Sequence, residues 1–207
     1  RSLQIQIFTN KWPIPSLRFL EELDKNQKLK MMEVGCQEGR TSLYLLHPDS
    51  RMYCLDLWGE GPRYYGPVGM ASWGPMERNF DHNVKVGNFE NKVVKMKGPS
   101  WKILRQLHAE DDFESFDFIY IDGWHGANGV IEDAIQCWKL LKVGGVLSFD
   151  DYLWGEEFKP QRAPKLAINS FMRIYGPFLK EISSNKKSFE KIISNVEEIS
   201  HLIKYYE

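Results

Sequence analysis

Residues 116–152, FDFIYIDGWHGANGVIEDAIQCWKLLKVGGVLSFDDY, set the terms for the rest of the chain. FDFIYID is a short aromatic and β-branched run that stops at a carboxylate, Asp122. Val130, Ile131, Ala134, Ile135, Trp138 and Leu141 then recur at helical spacing. Lys142 and the Gly144–Gly145 pair are expected to end that helix. VLSF is a second buried-strand run, again stopping at carboxylates, Asp150 and Asp151. A strand–helix–strand unit of this length folds as a right-handed crossover between parallel neighbours. Both strands then end at the same sheet edge, which brings Asp122, Asp150 and Asp151 together. Three carboxylates in one place repel one another unless something positive lies between them.

The chain has 207 residues, enough for one domain with a large core. Its 27 basic and 28 acidic residues imply no nucleic-acid or polyanion partner. No apolar run approaches the length of a membrane span. The opening RSLQIQIFTN lacks a signal-peptide pattern, and its first residue, Arg rather than Met, suits a domain cut from a longer protein. Cys36, Cys54 and Cys137 form no CxxC pair and suit a reducing, cytoplasmic compartment. Nothing near Cys36 resembles the base that would make it a nucleophile.

Ahead of the central stretch, residues 15–26 carry Leu17, Leu20 and Leu23 on one helical face, a cover for the sheet within residues 1–28. LKMMEVG (29–35) reads as a first strand running into GCQEGRTS, where Gly35 and Gly39 bracket a tight turn and Thr41-Ser42 open a helix. Such a turn lets backbone approach a ligand and aims free N–H groups at it. The pattern E-x-G-x-x-x-G is not that of a nucleoside triphosphatase, and it lacks the middle glycine that admits a pyrophosphate. It fits an adenosine ligand without a diphosphate. RMYCLDLW (51–58) is a second strand whose Asp56 is placed to accept ribose hydroxyls. Residues 58–91 are rich in Gly, Pro and aromatics and read as a lid, with Trp58, Tyr64, Tyr65 and Trp73 as stacking candidates and a short helix over 78–86. KVVKMKG (92–98) is a third strand, with Ser100 just beyond it at the head of a helix. Past Asp151, DYLWGEEF is a loop at the same edge and contains Trp154. A helix over 163–176 and a hairpin over 178–194 complete the reading, followed by a short helical tail.

Taken in order, EVGCQEGRTS, LDLW, KMKGPS, YIDGWH and LKVGGVLSFDDY resemble class I S-adenosylmethionine-dependent methyltransferases over residues 29–175. Within that group they look most like the macrocin O-methyltransferase and cephalosporin-hydroxylase-type branch, which includes sugar O-methyltransferases. The resemblance implies an α/β, Rossmann-like fold: a mostly parallel sheet of seven strands, helices on both faces and an antiparallel C-terminal hairpin. It implies that Glu33, Gly35, Gly39 and Thr41 line the cofactor, Asp56 its ribose and Ser100 its adenine, with Asp122 also near it. Asp122, Asp150 and Asp151 become ligands of a divalent metal. Sugar-modifying members carry a second acid two residues after the strand-four aspartate. Here Trp124 stands at that place with His125 next, so His125 inherits the base role beside Asp122. The missing Met and the Lys-, Asn- and Ile-rich composition suit a methyltransferase domain of a large viral glycan-building protein.

An alcohol must lose a proton to attack a sulfonium methyl, and a divalent cation makes that loss easier. Three aspartates with no Cys or His cluster favour Mg²⁺, Mn²⁺ or Ca²⁺ over Zn²⁺. A cation that grips two neighbouring oxygens favours a vicinal diol, as in a sugar or a catechol. The acceptor is therefore expected to be a small molecule or glycan, with Trp58, Tyr64, Tyr65, Trp124 and Trp154 as candidate contacts. A nicotinamide-dependent oxidoreductase and a non-catalytic cofactor-binding domain are the competing classes.

Overall fold

A computed structural model describes residues 6–9, 28–46, 48–59, 73–110, 112–155, 157, 159–183 and 187–192. The expected cover helix over 15–26, the aromatic pair Tyr64 and Tyr65, and the helical tail lie outside them. Among the described residues, seven strands form one mixed sheet, in the order Val93–Lys97, Arg51–Asp56, Lys30–Val34, Phe116–Ile121, Leu141–Phe149, Ser188–Lys191 and Leu179–Ser183. The chain comprises two compact units, residues 1–103 and 104–207.

The first unit holds β1 (Lys30–Val34), α1 (Arg40–Leu45), β2 (Arg51–Asp56), α2 (Trp73–Val86) and β3 (Val93–Lys97). β1 and β2 run parallel from Lys30↔Arg51 to Val34↔Leu55, and β2 and β3 from Met52↔Val93 to Asp56↔Lys97. Met31, Met32, Val34, Met52, Cys54 and Leu55 are buried, the near-continuous apolar signature of parallel strands covered on both faces. Within the segment read as a lid, a helix begins at Trp73 rather than at residue 78. Phe80, Asn83 and Val84 are its buried face.

α3 (Ser100–Ala109) leads into the second unit, which continues with β4 (Phe116–Ile121), α4 (Ala127–Leu140), β5 (Leu141–Phe149), α5 (Pro164–Tyr175), β6 (Leu179–Ser183) and β7 (Ser188–Lys191). β4 and β5 are parallel, from Phe118↔Val146 to Ile121↔Phe149. β7 lies antiparallel to both β5 and β6, which realises the expected hairpin. Trp138 of α4, Phe149 of β5, Phe171 of α5 and Phe189 of β7 form an aromatic core, with Phe149–Phe171 and Trp138–Phe171 centroids 5.7 and 5.9 Å apart.

The Gly144–Gly145 pair does not end the helix. α4 stops at Leu140, and Leu141 is already extended, with Gly144 and Gly145 inside the strand. Lys191 lies at that stop, where the Glu114 and Ser115 amides also bond the Lys139 and Leu140 carbonyls. Its side chain is fully buried, and Nζ donates to the carbonyls of Trp138 and Leu141 (3.1 and 3.0 Å) and to Glu114 Oε1 (3.1 Å). A cation at a helix C-terminus satisfies carbonyls that have no intrahelical partner and opposes the negative end of the dipole. The glycines serve elsewhere: Gly144 has φ 77°, and a Cβ on Gly145 would lie 3.0 Å from the carbonyl oxygens of Lys142 and Phe116. Replacing Lys191 by Met keeps the bulk but leaves those carbonyls unmet. The Lys191→Met protein is expected to lose about 2–4 kcal/mol in urea unfolding.

Candidate functional site

The turn after β1 is built by backbone and carboxylates of the first unit. Gly35 and Gly39 have φ of 93° and 79°, and Gln37 is also left-handed at 48°. Gly39 caps α1. A Cβ there would sit 2.9 Å from Cδ2 of the buried Phe80. Asp56, at the end of β2, accepts the Gln37 N–H at Oδ2 (2.8 Å) and the Trp58 N–H at Oδ1 (2.9 Å). Burial pushes its carboxyl above the usual value, and backbone donors, Trp58 and Gln37 first, pull it partly back. A carboxylate offers about four lone-pair sites, so hydroxyl donors can still bind it. Glu33 is buried and accepts from Ser42 Oγ. Thr41 is half-buried in the first turn of α1, and Ser100 is the first residue of α3.

Cys36 is buried and donates from Sγ to the Glu33 carbonyl at 3.2 Å. Burial, together with Cys54, Glu33 and Asp56, raises its thiol well above the ordinary range, which matches an inert role. Trp58, expected as a stacking surface, is only 4% exposed. Its Nε1 donates to the Gln37 carbonyl (2.7 Å), and its ring packs on Phe80 at 4.7 Å with Lys95 Nζ 4.9 Å above it. In this structure it supports the turn rather than presenting a face. Trp73 is the first residue of α2.

The second unit brings a different trio together from the one expected. Ligand atoms of Asp122, His125 and Asp151 all lie within 4.8 Å of one another. His125 Nε2 is 2.7 Å from Asp151 Oδ2. Asp150 stands outside this group. Its N–H donates to the Ile121 carbonyl (3.0 Å), and its Oδ1 accepts the Asp151 N–H (2.8 Å). Asp151 has φ 55°, a left-handed turn that carries its carboxylate away from the strand direction. His125 therefore enters the carboxylate cluster itself rather than standing beside it.

Trp154 packs beside this cluster, and Trp124 precedes His125 in the chain. Trp154 is 44% exposed, and its ring centroid is 4.6 Å from that of His125. Trp124 is 48% exposed and lies over the start of α4. A Cβ on Gly126 would meet its Nε1 at 2.3 Å, and one on Gly129 its Cδ1 at 2.6 Å. Those glycines make the seat for the indole.

Glu38 was not foreseen. It is 1% exposed and accepts from Thr9 N–H, Thr9 Oγ1 and Asn79 Nδ2. Asn83 was likewise missed, although an Asn between Phe80 and Val84 on an apolar helix face is a signal of a buried polar contact.

Gly39→Ala forces a side chain into a left-handed conformation against Phe80. Its expected cost is about 1–3 kcal/mol in thermal or urea unfolding, whereas Gly59→Ala, where a Cβ meets nothing within 4 Å, is expected to cost less.

The methyltransferase domain pattern matches residues 32–152. Caffeoyl-CoA O-methyltransferase 1 of Eucalyptus globulus is 31% identical over 94 residues, which is 45% of this chain and 36% of that protein. Caffeoyl-CoA O-methyltransferase 2 of Petunia hybrida is 24% identical over 157 residues, 73% of this chain and 57% of that protein. The chain thus spans about a third to somewhat over half of the length of these relatives. Among solved structures, the O-methyltransferase from Bacillus cereus in complex with SAH superposes with a TM-score of 0.60 at 18% identity, covering 84% of this chain and 80% of that one. That likeness carries the Rossmann-like methyltransferase fold. With a matched pattern that begins at β1 and ends just past Asp151, the chain belongs to the methyltransferase domain family.

Proposed function

We propose that this protein is an S-adenosylmethionine-dependent O-methyltransferase acting on a small-molecule or glycan hydroxyl, and that residues 1–207 form its single methyltransferase domain, with residues 1–28 as a cover and 58–91 as a lid. The observation that carries the proposal is the juxtaposition of Asp122, His125 and Asp151 at the ends of β4 and β5. The two carboxylates suit a divalent ion that takes oxygen ligands, such as Mg²⁺ or Mn²⁺, and leave the His125 imidazole to handle a proton. Such an ion, when bound, lowers the pKa of an acceptor hydroxyl and orients it.

Methyl transfer to a hydroxyl forms an O–C bond, breaks an S–C bond and releases one proton. The residues of this chain divide those tasks. Glu33, Gly35, Gly39, Thr41, Asp56 and Ser100 are the residues proposed to hold the methyl donor. Asp56 is suited to ribose hydroxyls because its remaining lone pairs are fixed in direction by the Gln37 and Trp58 amides. His125 takes the hydroxyl proton. In the tautomer whose Nε2–H donates to Asp151, the lone pair lies on Nδ1, and the carboxylate steadies the imidazolium that forms. Asp150, expected as a third oxygen ligand, caps the Asp151 amide instead. In-line alignment of oxygen, carbon and sulfur supplies much of the rate.

Trp154 offers a ring face beside His125, and Trp124, one residue before His125, is also exposed, which favours an acceptor that is itself a ring with vicinal hydroxyls. The sequence pattern favours a sugar. The relatives named for caffeoyl-CoA favour a catechol. A screen with labelled cofactor over rhamnosides, other sugars and catechols decides between them.

Calorimetry is expected to show saturable S-adenosylhomocysteine binding and none for NAD; the reverse result sinks the proposal. Mn²⁺ binding, read by calorimetry without any acceptor, should fall at least about tenfold in Asp122→Asn and Asp151→Asn. His125→Ala should lower kcat by about 10²–10⁴, and near-full turnover at saturating acceptor would remove it as the base. Because burial raises the Asp56 carboxyl, its ionised form is lost at a higher pH than in an ordinary aspartate. S-Adenosylhomocysteine affinity should therefore weaken as pH falls, beginning above the usual carboxylate range. Asp56→Asn should bind more weakly and show a flatter profile.

A further inference from the structure

The cofactor turn is anchored from outside the sheet by a segment that precedes it in the chain. Glu38 lies within the turn, between Gly35 and Gly39, and its carboxylate is buried. Its two oxygens are taken up by neutral donors: Oε2 by the Thr9 N–H (2.6 Å), and Oε1 by Thr9 Oγ1 (2.6 Å) and Asn79 Nδ2 (2.8 Å). Asn83, fully buried on α2, completes the link. Its Nδ2 donates to the Glu38 carbonyl (3.0 Å) and to the Ile7 carbonyl (2.7 Å), while its Oδ1 accepts the Ile7 N–H (2.6 Å). Gln6 Nε2 reaches the Asn83 carbonyl at 3.4 Å. Phe8 lies under Arg40, the first residue of α1, at 5.9 Å.

These bonds join three segments far apart in sequence, residues 6–9, the 35–39 turn and α2. The turn has bonds of its own: the Gly39 N–H donates to the Cys36 carbonyl (2.7 Å), the Gly35 N–H to the Leu55 carbonyl (2.8 Å), and Asp56 and Trp58 Nε1 both hold Gln37. Gly35, Gln37 and Gly39 nonetheless all have positive φ, and none of these bonds reaches the Glu38 side chain. A left-handed turn of this kind persists only where its surroundings over-determine it. Glu38 supplies that restraint on the other side. A buried carboxyl group is costly without hydrogen-bond partners, so it keeps Thr9 and Asn79 in place as firmly as they keep it.

We infer that Glu38 and Asn83 form a clasp through which residues 6–9 position the cofactor turn, so that affinity for the methyl donor depends on that N-terminal segment. Glu38, Asn83 and Thr9 are positioning residues: none touches the reacting atoms in this reading. The inference rests on the assignment of the 35–39 turn to the cofactor. Coupling of this kind is reciprocal. If the segment helps the turn to bind, then binding must hold the segment more tightly.

The test uses the full chain and S-adenosylhomocysteine, with no need of the acceptor. Hydrogen exchange at the Ile7 and Thr9 amides is measured with and without the ligand, and affinity is measured by calorimetry well below the melting temperature. Ligand should slow exchange at both amides. Thr9→Val keeps the side-chain shape and removes the hydroxyl donor; it should weaken binding by about threefold to tenfold, while Thr9→Ser retains it. Glu38→Gln should weaken binding further, and its combination with Thr9→Val should cost less than the sum, because the two act on one bond network. Unchanged exchange at Ile7 and Thr9 together with wild-type affinity in Thr9→Val would overturn the clasp, even if both variants melt earlier. Failure of the wild-type protein to bind S-adenosylhomocysteine at all would instead overturn the cofactor assignment, and the clasp with it.

Discussion

A strand buried on both faces carries few polar side chains, and each one it carries needs a partner. In β1, β2, β4 and β5 the buried positions are mostly apolar, with Glu33 and Ser148 as hydrogen-bonded exceptions, and most of the carboxylates proposed for function lie at the carboxyl ends: Asp56 after Leu55, Asp122 after Ile121, and Asp150 and Asp151 after Phe149. The apolar interior thereby fixes where charge can go. It also leaves those charges without solvent on one side, so each must find donors or a counter-charge. Much of the local architecture answers that demand. Asp56 gathers the Gln37 and Trp58 amides, Asp150 the Asp151 amide, and Asp151 the His125 imidazole.

The two units meet this constraint in different ways. In the first, carboxylates are paid for by backbone and amide donors. Asp56 and Glu38 each hold a segment that has no regular structure of its own, and the left-handed residues of the turn are secured between them. In the second, a carboxylate cluster is partly exposed and includes an imidazole, so it can exchange a partner with solvent or an ion. Burial suits a rigid binding turn; partial exposure suits groups that change partners during a reaction. Lys191 shows the same logic with the opposite sign. A buried cation stands where carbonyls at the end of α4 would otherwise be unmet, and it lets β5 begin without any linker.

The strand–helix–strand reading of residues 116–152, the first three strands and the terminal hairpin were legible because their periodicities are strong and their ends are marked by Gly or Asp. What was misread has a common cause. The Gly144–Gly145 pair looked like a helix stop, but the helix ends earlier, at Leu140, where its carbonyls are met by Lys191, some fifty residues away in sequence, and by the Glu114 and Ser115 amides. Trp58 looked like a stacking surface, but its ring is covered by Phe80 and Lys95. The three aspartates were grouped by their position at strand ends alone. In the folded chain Asp151, at positive φ, contacts His125, while Asp150 caps the following amide.

The sequence by itself determined the alternation of buried strands and amphipathic helices, the placing of acids at strand ends, and the glycine turn after β1. These are local consequences of hydrophobic pattern and backbone freedom, which need no knowledge of neighbours. Only the tertiary structure decided that Glu38 and Asn83 reach back to residues 6–9, that His125 joins Asp122 and Asp151, and that Trp124 rests on Gly126 and Gly129. Such contacts depend on which side chain fills the last donor or the last gap once the chain has closed. No periodicity records that choice, because it is made between residues that the sequence keeps apart or by a turn that redirects residues it keeps together.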